Sequence, residues 1–184
     1  GGAGGFRPVP SIGPTGHIGA EELPDYLAVL RTRLHPHGRL LNHCITRPAT
    51  TYPAKAGEFI DRYVFPGGEL EAVGEIAAVM QDNGFEVRHS ENLREHYART
   101  CQAWCDNLDA HWDEAGKEVG PGTARVWAPS LAGSRLGLAR GALHLHPVLA
   151  GSTTRRGLGF PPRPASARPA PPGGHGAARA SRTR

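Results

Sequence analysis

The chain has 184 residues, 39% of them hydrophobic, which is enough to bury one real core, so a single domain is expected. No 18-residue apolar run exists and no charged, apolar, small-residue leader pattern opens the sequence, which argues against a membrane-spanning helix and points to a soluble, cytoplasmic protein. The net charge of +4 suggests nucleic-acid binding only until it is divided: residues 151–184 hold seven arginines and no acid, leaving 14 basic and 17 acidic groups in residues 1–150. The basicity belongs to the tail, which lacks interleaved aromatics beyond Phe160, so specific nucleic-acid recognition is not expected.

Residues 1–10 are too rich in Gly and Pro to form a stable strand on their own propensity and read as an irregular start, with Ser11-Ile12-Gly13 the frayed end of a strand. From Ala20 the pattern changes. Leu23, Tyr26, Leu27, Leu30 and Leu34 fall at helical spacing, Pro24 sits in the first turn, and His35-Pro36 ends the run with a tight turn. Gly38 to Thr46 follows as a buried central strand: Leu40, Leu41, Cys44 and Ile45 make the nearly continuous apolar run of a strand covered on both faces in a parallel sheet.

His43 sits near the far end of that strand. In open α/β sheets ligands bind outside the carboxyl ends of strands, which makes His43 a candidate site residue. The competing reading is a core histidine hydrogen-bonded to backbone.

Residues 47–56 read as a loop, Phe59 to Phe65 as a short segment, and Val73, Ile76, Ala77 and Met80 as a helix closed by Asn83-Gly84. Phe85 to His89 alternates as a strand. A long helix is predicted from about Arg94 to Val119, with Tyr97, Cys101, Trp104, Cys105, Leu108 and Trp112 as its buried stripe. Cys101 and Cys105 lie one turn apart, but no second pair of His or Cys stands nearby. They read as small hydrophobes rather than metal ligands, and all three cysteines read as reduced thiols. Val126 to Ala139 is a weaker helix, and Leu143 to Leu149 a last strand in which Pro147 fits an edge or a bulge. Residues 151–184, dominated by Pro, Gly, Ala, Ser and Arg, read as disordered.

Several of these stretches together carry a resemblance. Ser11-Ile12-Gly13 with His17-Ile18-Gly19, Leu40 to Thr46, Phe59 to Leu70 and Glu91 to Ala98 are similar, in collinear order, to the carboxyl-terminal half of cyclopropane-fatty-acyl-phospholipid synthases. These resemble the mycolic acid cyclopropane synthases, and both belong to the S-adenosylmethionine-dependent methyltransferases. The resemblance covers residues 11–150. It implies an α/β fold: a partial Rossmann-like class I methyltransferase sheet with flanking helices, followed by the disordered tail.

The implied activity transfers the methyl group of S-adenosylmethionine to a cis double bond of a lipid acyl chain, with a bound bicarbonate removing a proton before the ring closes. A bicarbonate held in a dry cavity is a positioned base whose charge stabilises a cation. By the family pattern His43 and Tyr97 contact the bicarbonate through their side chains and the backbone of Ile12 lies beside it. Ile12 and Gly13 face S-adenosylmethionine, and no metal is implied. The partner is an unsaturated phospholipid or another acyl chain, with peripheral contact to the inner face of the membrane.

Departures from the family pattern temper the expected activity. The glutamate that also holds the bicarbonate is replaced by Gly16. The glycine-rich cofactor loop and a further cysteine belong upstream of Gly1, and neither the Gly1 to Gly5 run nor Cys44, Cys101 or Cys105 takes their place. The sequence therefore reads as an inactive fragment whose tail resembles a shifted reading frame. The alternative is a non-catalytic remnant binding an acidic partner, a membrane surface or nucleic acid, through the arginine tail.

Overall fold

The protein is described here by a computed structural model that covers residues 6–152. The expected disorder of the tail falls outside these residues from Thr153 onward, as does the start of the irregular leader. Within them lie four strands: β1 (Phe6–Ile12), β2 (Leu34–Thr46), β3 (Phe85–Ser90) and β4 (His144–Ser152). The helices are α1 (Leu23–Arg33), α2 (Glu58–Tyr63), α3 (Val73–Asp82), α4 (Arg94–Ala110), α5 (Trp112–Val119) and α6 (Pro121–Arg140). A 3-10 turn, Pro14–Gly16, follows β1.

The sheet order is β1-β2-β4-β3. β2 is interior as expected, but the sheet is mixed rather than parallel: β1 runs parallel to β2, while β4 is antiparallel to both β2 and β3. β2 also begins four residues before Gly38, and the turn expected at His35-Pro36 is a kink inside the strand, where His37 adopts φ +66°.

Two proline arguments are corrected by the register. Residues 6–10 do form strand β1, despite Pro8 and Pro10. Gly13 N–H donates to His43 O at 2.8 Å, so by alternation Val9 and Ser11 aim their backbone groups at β2 while Pro8 and Pro10 face the open edge, where no donor is needed. Pro147 was expected at an edge or a bulge, yet β4 is interior and its register with β2 is unbroken at Pro147. Leu93 N–H donates to Leu145 O on the β3 side, so Pro147 turns its nitrogen to that same side, beyond the last β3 pair of Ser90 with Val148.

One face of the sheet carries the core. Leu23 and Leu27 of α1 and Ile76 and Met80 of α3 pack on Leu40 and Val148, all buried. α3 starts where the Glu75 carboxylate accepts Ala72 N–H at 2.8 Å and ends at Gly84, whose φ of +78° suits glycine.

The predicted helix from Arg94 to Val119 is two helices. His111, at φ −121°, leaves the helical region and divides α4 from α5. Its stripe is only partly buried: Cys101 is buried, Tyr97, Cys105 and Leu108 are half-buried, and Trp104 and Trp112 are exposed. α4 packs instead against α6, and Arg94 Nη1 donates to Leu138 O and Ala139 O, satisfying the last carbonyls of that helix at 2.7 and 2.9 Å. The chain therefore inserts a three-helix group between β3 and β4. The last strand runs to Ser152, so Gly151 and Ser152 belong to the sheet rather than to the tail.

Candidate functional site

Parallel pairing brings the carboxyl ends of β1 and β2 side by side, and a cavity of about 220 Å³ opens there. Ile12 and Gly13 line it from the end of β1, His43 from β2 and Tyr97 from the first turn of α4. Gly16 and His17 supply another side, and Ile45, Phe65, Leu70 and Leu145 the apolar walls. The four residues singled out in the sequence thus converge, although Tyr97 is separated from His43 by two helices and a strand.

The local backbone explains the convergence. Gly13 turns the chain at φ +91°, a conformation that favours glycine, and its N–H clamps β1 to His43 O. Behind it, Asn42 is 1% exposed and its Oδ1 accepts hydrogen bonds from Thr15 Oγ1 at 2.6 Å and Ser11 Oγ at 3.2 Å. Tyr26 OH lies 2.8 Å from Ser11 Oγ, so the strand end, the 3-10 turn and α1 share one buried polar network.

His43 is half-buried, and no hydrogen bond joins its ring to any described residue, so the backbone-bonded core histidine is not what the structure shows. Tyr97 OH likewise has no hydrogen-bond partner among the described residues. Burial, and then the neighbouring Cys101 thiol, push the Tyr97 hydroxyl above its usual range, so it remains a neutral O–H donor at ordinary pH. Burial pushes the Cys44 thiol up to about 12, which keeps it from serving as a thiolate.

Sequence reasoning assigned no role to His17 or Phe65. His17 meets the Phe65 ring edge-on at 5.0 Å, and Phe65 in turn meets Trp127 of α6 at 6.3 Å. Tyr97 stacks edge-on with Trp104 at 5.7 Å. His17 was legible, standing directly after Gly16 in a stretch already under scrutiny. Phe65 was not, because its segment carries no period that fixes a direction. At Gly16 an added Cβ would meet nothing within 4 Å, so the wall is open where a larger side chain was expected.

The sequence profile of the mycolic acid cyclopropane synthetase family matches residues 3–148. A probable fatty acid methyltransferase of Mycobacterium tuberculosis, Rv3720, is 50% identical over 153 residues, which cover 83% of this chain and 36% of that protein. A probable fatty acid methyltransferase of Pseudomonas putida is 39% identical, over 80% of this chain and 38% of its own. The chain therefore spans well under half the length of these relatives. Among solved structures, the cyclopropane synthase MmaA2 of Mycobacterium tuberculosis superimposes with a TM-score of 0.74 at 23% identity, over 82% of this chain and 57% of that one. A phosphoethanolamine N-methyltransferase of Haemonchus contortus shares the fold at 12% identity and a TM-score of 0.66. With a sheet built as in these class I methyltransferases and a profile match over most of its length, the chain belongs to the mycolic acid cyclopropane synthetase family.

Proposed function

We propose that the cavity is the acyl-chain end of an S-adenosylmethionine-dependent methyl-transfer site, in which His43 and Tyr97 hold a bicarbonate beside the carbon that is alkylated. The observation that carries this reading is the meeting of two side chains with no hydrogen-bond partner among the described residues and the Ile12–Gly13 turn in one cavity with apolar walls. Ile45, Leu70 and Leu145 suit a hydrocarbon chain, while Tyr97 and one ring nitrogen of His43 suit a small oxyanion. When bound, bicarbonate supplies a base for the proton lost from the added methyl group. Tyr97 and His43 fix its position, and the surrounding apolar side chains limit competing water.

S-adenosylmethionine does not fit within the described residues. A cavity of about 220 Å³ is smaller than the roughly 300–1,000 Å³ of pockets that enclose drug-sized ligands, and the glycines between β1 and α1, Gly13, Gly16 and Gly19, do not have the G-x-G-x-x-G spacing of a cofactor loop. Only the Ile12–Gly13 backbone is assigned to the cofactor, where an added Cβ at Gly13 would meet nothing within 4 Å. We therefore expect no methyl transfer by this chain alone. No helix among the described residues is long and apolar enough to cross a membrane.

The test is a bicarbonate titration at fixed pH and ionic strength, followed by NMR of the histidine and tyrosine ring signals. His43 and Tyr97 should shift together, and His43→Ala and Tyr97→Phe should each abolish the response. An absence of shift at both rings, or shifts unaffected by the substitutions, would remove the basis of the assignment. The alternative of an acidic partner rests on the arginine tail, outside the described residues.

A further inference from the structure

The cavity beside His43 and Tyr97 has one more hydrogen-bonding side chain in its wall, His17, to which nothing so far gives a role. Its lining holds His17, His43, Tyr97 and Cys44 as polar side chains and no carboxylate, guanidinium or ammonium group. Cys44 drops out, because burial keeps its thiol protonated and Asn42 Nδ2 already donates to its sulfur at 3.6 Å. Two imidazoles and one phenol remain.

The fold fixes where His17 stands. Thr15, two residues earlier, is buried and donates to Asn42 Oδ1 at 2.6 Å, and His17 N–H closes the 3-10 turn on Pro14 O at 2.8 Å. The His17 ring then meets Phe65 edge-on at 5.0 Å, and Phe65 is itself a wall of the cavity. None of these contacts uses the ring nitrogens, and no hydrogen bond joins them to a described residue, as holds for the His43 ring and Tyr97 OH. His17 also borders a wider outer cleft with Glu21, Glu22 and Glu69, yet it is ion-paired with none of the three.

What the lining lacks decides which anion it prefers. Bicarbonate differs from formate and nitrate, planar monoanions of similar size, in carrying an O–H that needs an acceptor. A carboxylate in the wall would accept that proton in a charge-assisted hydrogen bond, roughly twice as strong as a neutral one, and would repel the other two anions. Residue 16 contributes only a glycine backbone to the lining, and an added Cβ there would meet nothing within 4 Å. The groups present offer donors, an N–H from each neutral imidazole and the O–H of Tyr97, and these address the negative oxygens that all three anions share.

We propose that His17 is a third ligand of the anion held by His43 and Tyr97, and that the site takes small planar monoanions as a class, formate and nitrate as readily as bicarbonate. This rests on the reading of the cavity as an anion site. Formate and nitrate are far weaker bases, so in the same place they compete with bicarbonate without being able to remove a proton.

Residues 1–184 are titrated separately with bicarbonate, formate and nitrate at fixed pH and ionic strength, and the ring signals are followed by NMR. For each anion the His17, His43 and Tyr97 signals should move along one binding curve, with the three dissociation constants within about threefold of one another. His17→Ala should weaken all three by about tenfold, the order expected when one hydrogen bond to a charged group is lost, while His17→Gln keeps an N–H donor and should stay within about threefold of the unaltered chain. Gly16→Glu should separate the anions, favouring bicarbonate over nitrate by at least about tenfold. A still His17 ring while His43 and Tyr97 move would overturn the role of His17, and this arm decides even where His17→Ala does not fold. Normal binding by a folded His17→Ala variant would overturn it as well. A preference for bicarbonate above about tenfold in the unaltered chain would overturn the anion class. Silence of His43 and Tyr97 towards all three anions would instead remove the reading of the cavity, and this inference with it.

Discussion

Asn42 ties the site to the sheet, and replacing it tests that claim quantitatively. Asn42→Leu preserves volume approximately but removes the acceptor for Thr15 Oγ1 and Ser11 Oγ and the weak donor to Cys44 Sγ at 3.6 Å. Ser11 keeps Tyr26 OH as a partner, whereas Thr15, 2% exposed, has no other side-chain hydrogen bond among the described residues and is left with an orphaned hydroxyl. An unsatisfied buried hydroxyl costs roughly 1–3 kcal/mol, and the lost neutral bonds add about 1 kcal/mol, so a total near 3 kcal/mol is expected. Thr15→Val alone leaves Asn42 Oδ1 with Ser11 and should cost about 1 kcal/mol. The double variant has no orphaned hydroxyl at residue 15, so it should be more stable than the sum of the two predicts by at least about 1 kcal/mol. Urea denaturation of the four proteins, read by circular dichroism, gives the cycle. Additivity within about 0.3 kcal/mol would show that the two side chains are not coupled, and the network would then carry no weight in placing the 3-10 turn.

Gly16→Glu places a carboxylate at the open wall of the cavity. Because an added Cβ there meets nothing within 4 Å, the thermal midpoint should hardly change while bicarbonate binds at lower concentration, and an unaltered titration would remove Gly16 from the site. His146 is buried with Nδ1 2.7 Å from Thr46 Oγ1, and burial, then the charge of His144, holds it below its usual range. Its folded form favours the neutral ring, so this contribution is present above about pH 6.5 and is lost as pH falls through the lowered folded value. His146→Gln should therefore flatten the loss of stability between about pH 7 and pH 5, and an unchanged slope would refute the assignment. Cys44, with its thiol pushed up to about 12, should resist iodoacetamide in the native protein while half-buried Cys105 reacts, and modification of Cys44 without unfolding would contradict its burial.

Arg47 holds the far end of β2 against α3 through Nη2, which donates to both carboxylate oxygens of Glu75 at 2.7 and 2.8 Å, and buried Glu71 lies beside it at 3.9 Å. Burial, and then the adjoining Glu75, push the Glu71 carboxyl up. Arg47→Met should cost roughly 1–3 kcal/mol, since Arg47 is only 13% exposed but Glu75, 33% exposed, keeps part of its solvation, and a loss below about 0.5 kcal/mol would mean that the pair is effectively solvated.

The helical spacing of Leu23, Tyr26, Leu27 and Leu30, that of Val73, Ile76 and Met80, and the apolar run of Leu40, Leu41, Cys44 and Ile45 determined α1, α3 and the interior place of β2 from sequence alone, because burial leaves a local signature, although the cover expected on both faces is missing at Leu41, 37% exposed. His43 was legible for the same reason, standing at the end of an apolar strand where sheets of this class present ligands. The Pro8–Pro10 strand and the interior position of Pro147 were not legible. Whether a missing N–H matters depends on which neighbour it would face, and that is set by pairing between segments distant in the chain, Pro10 with Leu41 and Pro147 with His43. The break at His111 and the exposure of Trp104 also escaped, since a stripe of apolar residues does not say whether anything packs on it. The meeting of Tyr97 with His43 was expected through the family resemblance and by no local pattern, and only the tertiary structure left Gly16 facing open space and bared Leu41. Each depends on distances between elements that no local pattern encodes, because long-range contacts are fixed by how the layers pack once the strands have paired.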